Sequence, residues 1–162
     1  MKKAIPLSNG YVIEFKAKWH ETASWSRIFD FGNGLNADNL LVANNGSTAI
    51  LNHCLYLSSP NNADYRFYSS TETIVLDQIA EWKIVVTKTS GGVTASLYKN
   101  GVSQSITMTS FPAGSIPDRK FSTLYIGKSL WSNDGLFNGD IYYLKITLAN
   151  GVKFIDIDFS RL

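Results

Sequence analysis

The stretch LYIGKSLWSNDGLFNGDIYYLKI, residues 124–146, decides how the chain is read. Leu124 and Ile126 lie on one face of a short strand that breaks at Gly127. A polar loop with Trp131, Asn133 and Asp134 follows, and a longer strand resumes after Phe137, Asn138, Gly139 and Asp140. Two strands joined through a decorated polar loop predict a β-sandwich whose rim is free to carry function.

The flanking sequence repeats this alternation of strands and turns. Residues 11–19 set Tyr11, Ile13, Phe15, Ala17 and Trp19 against Val12, Glu14, Lys16 and Lys18, a period of two with one wet face. Residues 81–89 do the same, with Trp82, Ile84 and Val86 inward. Trp25 leads into an apolar run ending at Gly32-Asn33-Gly34, and DNLLVAN, residues 38–44, is a short strand. Residues 47–57 are apolar on both faces and predict a central strand. A strand over 64–70 follows the turn at Pro60-Asn61-Asn62. Asn100-Gly101, between the alternating runs 93–99 and 102–108, predicts a two-residue hairpin turn with both residues at positive φ. Residues 73–80 allow at most one helical turn, and 111–120, with two prolines, form a loop. A final strand over 152–160 follows Asn150-Gly151. About ten or more short strands without an amphipathic helix make the chain all-β, and a sandwich is preferred to a barrel.

Length and composition agree with one domain over residues 1–162. The chain is 44% hydrophobic and 13% aromatic, enough for a full core. Its net charge of +2 comes from 15 basic and 13 acidic residues without a basic run, so neither nucleic acid nor insertion into a membrane is expected as a partner. The lone Cys54 has apolar neighbours and reads as a buried small hydrophobe. Lys2 and Lys3 precede Pro6, Ser8, Asn9 and Gly10 rather than an apolar segment, so no signal peptide is expected. Either the protein is made and used without export through a signal peptide, or it is a domain of a longer extracellular protein.

Three pieces, in order, resemble the laminin-G-like domains of the concanavalin A-like jelly rolls: WSRIFDFGNG…DNLLVAN, EWKIVVTKTSGGVTASLYKNGV and LYIGKSLWSNDGLFNGDI. The ending GDIYYLKITLANGVKFIDIDF is similar to the closing hairpin of such domains in phage tail and other virion proteins. The resemblance implies an antiparallel jelly-roll sandwich, a place at a virion or cell surface, and glycans, a host receptor or other virion proteins as partners. It also implies a calcium ion at the rim, for which Asp30, Asn33, Asp38, Asn39, Asn133, Asp134 and Asp140 are the candidate ligands. The competing reading makes these ordinary turn residues.

Enzymes share the architecture, but the Glu-x-Asp-x-(x)-Glu strand of the laminarinase-like hydrolases has no counterpart among Glu14, Glu21, Glu72 and Glu81. Asp156 and Asp158 share a strand face that reads as the wet side. His20 and His53 stand apart, and no Gly-x-Ser-x-Gly elbow occurs. The leading expectation is therefore a non-catalytic glycan-binding module. A purely structural virion subunit and an unusual glycosidase are the alternatives. Trp131 is the expected stacking surface, with Asn133, Asp134, Asp30, Asn33 and Arg27 supplying polar contacts. The competing reading folds Trp131 back as a lid on the sandwich.

Overall fold

The computed structural model describes residues 4–35, 37–57, 65–109 and 116–161. Among them run twelve strands: β1 (Gly10–Trp19), β2 (Arg27–Gly32), β3 (Leu40–Asn44), β4 (Leu51–Leu55), β5 (Tyr65–Ser69), β6 (Ala80–Thr89), β7 (Gly92–Lys99), β8 (Val102–Gln104), β9 (Ile106–Thr109), β10 (Thr123–Ile126), β11 (Gly139–Leu148) and β12 (Lys153–Asp158). They pair into two antiparallel six-stranded sheets, β12-β11-β1-β6-β7-β8 and β10-β2-β3-β4-β5-β9. The inner faces of both feed one hydrophobic core. The chain is an all-β antiparallel sandwich.

In the first sheet the period of two holds as the sequence predicts. Tyr11, Ile13, Phe15, Ala17 and Trp19 are buried, and so are Trp82, Ile84 and Val86 opposite them. Trp82 stacks on Phe15 at 6.2 Å and meets Trp19 edge-on at 6.1 Å. Asn100 and Gly101 have φ of 49° and 78°, the positive values a two-residue turn requires. Gly139 opens β11 where a Cβ would stand 2.0 Å from the Lys18 carbonyl oxygen, so only glycine lets β11 approach β1 there.

One expectation is corrected. The run 102–108 is not one strand: the chain leaves the first sheet after β8, breaks at Ser105 and enters the second as β9. Switching sheets in this way makes the hairpin's second arm a corner of the sandwich. Residues 73–79, which allowed at most one helical turn, are an irregular loop pinned by Thr73 and Ile74 donating to the Ala49 carbonyl and Asp77 to that of Trp19. The expected turn at Pro60-Asn61-Asn62 and the loop residues 111–115 lie outside the described residues. Among the described residues no helix is long and apolar enough to cross a membrane.

The second sheet buries polar groups inside as well. His53 faces the core from β4; its Nδ1–H donates to the Leu41 carbonyl at 2.8 Å, so Nε2 accepts the Tyr11 hydroxyl at 2.8 Å and ties the two sheets together. Burial drives the imidazole pKa down to about 4 and raises the Tyr11 phenol well above its usual value. Both groups are therefore neutral at pH 7.

Candidate functional site

Strands β2, β3 and β4 are buried on both faces. With Phe29, Phe31, Leu40, Val42, Leu51, Leu55 and Phe67 pointing inward, the alternate residues must point away from the core. Register places Asp30, Leu41, Cys54 and Arg66 in one row across β2 to β5, and Arg27, Ala43, Asn52 and Tyr68 in the next. An outer face stays buried only if something covers it. Here Leu41, Ala43 and Cys54 form a second apolar cluster, roofed by Tyr56 and Trp131.

Arg27 holds that roof in place. Its Nε donates to Asp30 at 3.3 Å, Nη1 to the Trp25 carbonyl at 2.6 Å and Nη2 to Asp134 at 2.8 Å, so one buried guanidinium joins β2 to the loops on either side. Its carbon lies 5.3 Å from the Trp131 ring centroid. The Trp131 loop is further fixed by Leu130 N–H donating to Asp30 at 3.0 Å and Ser129 hydroxyl donating to Asp134 at 2.7 Å. Burial pushes the Asp30 carboxyl pKa up, while donation from Leu130, Arg27 and Asn39 works against the rise. Cys54 beneath is driven up to about 12 by burial, so the thiol is inert.

Trp25 supplies the opposite wall. It is held at φ 52°, a left-handed conformation that costs a bulky residue energy, and its N–H donates to the Gly46 carbonyl at 2.9 Å. Strain of this kind persists only where surrounding contacts dictate it. Between the walls lies an open recess of about 190 Å³ lined by Trp25, Arg27, Tyr56, Trp131 and Asp134. Tyr56 and Trp131 meet at 5.2 Å, tilted by 51°.

Of the expected site residues, Trp131, Asp134, Asp30 and Arg27 come together here. Trp131 is half-buried rather than fully exposed, because its ring rests on Leu41, Ala43 and Cys54. Asn133 is exposed on the same loop. Asn33 is elsewhere, at a turn where it donates to Asp38 at 2.9 Å and to the Lys120 carbonyl at 2.7 Å. Asp38 pairs there with Arg119 at 2.6 Å. Asn39 is buried and spent on Asp30 and the Gly34 carbonyl, and Asp140 pairs with Lys18 at 3.0 Å.

The calcium ligands inferred from the resemblance thus fall in three separate places, with their carboxylates already engaged by cations. These residues do not fit a calcium site. Among the described residues no group of three or more His, Cys, Asp or Glu side chains could hold a metal ion.

Trp25 and Tyr56 line the recess, and Arg66 lies against the Trp25 and Tyr68 rings beside it; none of the four was singled out from the sequence. The sequence signal that existed was the two-faced apolar strand at 47–57, which implies a covered face. A larger basin of about 460 Å³ opens on the first sheet, lined by residues including Glu14, Glu81, Lys83, Tyr98 and Tyr143. Its charged side chains are those of a wet sheet face, and among the described residues no loop closes over it as the Trp131 loop closes over the second sheet. No family model matches the sequence, and no curated protein matches it.

Proposed function

We propose that the protein is a non-catalytic binding module of the jelly-roll, laminin-G or concanavalin A-like kind, recognising glycans at a virion or cell surface. The observation that carries this reading is the recess between Trp25, Tyr56 and Trp131, with Arg27 and Asp134 at its floor. Aromatic faces accept the C–H surfaces of sugars, and fixed charged groups orient the hydroxyls. The floor is preorganised by buried ion pairs, which limits the ordering cost of binding.

A glycan array probed with wild-type protein and Trp131→Ala tests it. The expected result is binding by the wild type, unchanged by a calcium chelator, and loss of binding in the variant. Trp131→Ala should also lower Tm by a few degrees, because a half-buried ring contributes about 1–2 kcal/mol and a domain this size loses about 2–4 °C per kcal/mol. Binding that survives the substitution, or absence of binding to any glycan, overturns the reading. The face would then be a protein–protein surface of a structural virion subunit.

A further inference from the structure

We infer that the recess selects carboxylate-bearing sugars, such as uronic or sialic acids, and that Arg66 is the residue that takes the carboxylate. The inference rests on the glycan reading of the recess and adds its substrate class. Of the four arginines, Arg27, Arg119 and Arg161 each pair with an aspartate, at 2.8, 2.6 and 3.1 Å. Arg66 makes no ion pair among the described residues. Its guanidinium lies against two rings, 5.3 Å from the Trp25 centroid and 5.5 Å from that of Tyr68. Its Nη2 donates to Asn45 at 2.5 Å, and its Nε is buried without a partner among the described residues, so a ligand would meet the Nη edge of the guanidinium.

An arginine ordinarily offers five donors in a planar fork suited to a carboxylate. Here the fork is immobilised by aromatic stacking at a wall of the recess, with the strained Trp25 as the shared element. The charges of Arg27 and Arg66 both reach the phenol of Tyr56, which places Arg66 within electrostatic range of the recess. The two guanidinium groups differ in what remains to them. Arg27 donates from each of its three nitrogens, to Asp30, Asp134 and a carbonyl. Arg66 stands on β5, three strand spacings or about 14 Å from β2 where Asp30 sits, and beside the Trp25 wall it brings a positive charge that no carboxylate among the described residues compensates. A neutral glycan would use the aromatic walls alone, leaving the Arg66 charge unanswered. An acidic glycan answers it with a charge-assisted, bidentate pair.

The test is an array of uronic-acid and sialic-acid oligosaccharides, each printed beside its carboxyl-reduced and its sulfated form, probed with wild type, Arg66→Gln, Arg66→Lys and Trp131→Ala. The expected result is a preference of about tenfold or more for an acid over its reduced form, erased in Arg66→Gln. Arg66→Lys keeps the charge and loses the planar fork, so most of the preference should go with it, and it carries the test if Arg66→Gln unfolds. Equal binding of acid and reduced forms by the wild type, both lost in Trp131→Ala, overturns the Arg66 assignment while the glycan reading stands. Stronger binding of the sulfated form overturns the carboxylate in favour of a sulfate ester. No binding to any glycan overturns both.

Discussion

On the outer face of the first sheet, Glu14, Lys16, Lys18, Glu81 and Lys83 are half-buried or exposed, one charge after another along β1 and β6. On the outer face of the second, Arg27, Asp30 and Asn52 are buried, and Leu41, Ala43 and Cys54 lie beneath a roof of rings. Both faces occupy the same place in a sandwich, and both would be wet if the sheets alone decided the matter. The difference comes from the 127–138 loop, folded over one of them. A solvated face tolerates charges because water answers them; a covered face must answer every charge with protein, as Arg27, Asp30 and Asp134 do. Where a sandwich pays to cover an outer face with aromatic rings and an ion network, that face is the place to look for a ligand.

The largest effect separates the inner faces from either outer one. Trp82 is 2% exposed, stacked on Phe15 and edge-on to Trp19. Trp82→Ala should lower stability by about 3–5 kcal/mol in urea melts. A loss below about 1 kcal/mol would mean that the first sheet does not form half of a shared core, and the contrast between its two faces would lose its basis.

A smaller effect compares the outer faces directly. Asp30→Asn removes a buried charge that accepts from Arg27, Leu130 and Asn39, and leaves Arg27 with Asp134 alone. The expected cost is about 3 kcal/mol, the lower end of what breaking a buried pair costs, because one carboxylate remains. Lys83→Ala, on the wet face, should change stability by less than about 0.5 kcal/mol. Similar values for the two, measured by the same melts, would show that the covered face is no more integral to the fold than the open one.

The two faces also differ in how far the sequence disclosed them. The first sheet was legible because alternation is a local signal: β1 and β6 each have one wet face, and the inward set of Tyr11 to Trp19 is marked by type alone. The Asn100-Gly101 turn was legible for the same reason. The break at Ser105 was not, since nothing in residues 102–108 distinguishes a strand that stays in its sheet from one that turns into the other. The site was half legible. Trp131 and Asp134 stood out because their loop is polar, and Asp30 and Arg27 because they interrupt an apolar run. Trp25 and Tyr56 lie in loops held by backbone bonds to Gly46 and Asn39, and Arg66 and Tyr68 reach that face through sheet register, so the four converge from far apart in the sequence. The supposed calcium ligands erred in the opposite direction: sequence shows which side chains carry oxygens but not which arginine or lysine has already claimed them.

The smallest effect concerns the polar group that the second sheet turns inward. His53 is fully buried and neutral, holding the Leu41 carbonyl and the Tyr11 hydroxyl, with burial keeping its pKa near 4 against 6.5 for the free side chain. Between those values the unfolded chain binds a proton that the folded one refuses, so stability is fully present above pH 6.5 and declines as the pH falls toward 4. The loss attributable to His53 should reach about 2 kcal/mol by pH 5 and about 3 kcal/mol at pH 4. Asp30 works in the opposite sense, since burial raises its pKa and lets the folded state take up a proton first. The measurement is the slope of unfolding free energy between pH 6.5 and 5 in wild type and in His53→Gln. The variant is expected to be less stable at pH 7, having lost the cross-sheet hydrogen bond to Tyr11 and the bond to the Leu41 carbonyl, and to show a flatter slope. Parallel slopes would mean that the imidazole titrates alike in both states, and therefore that water reaches it. The inner face of the second sheet would then be as open as the outer face of the first.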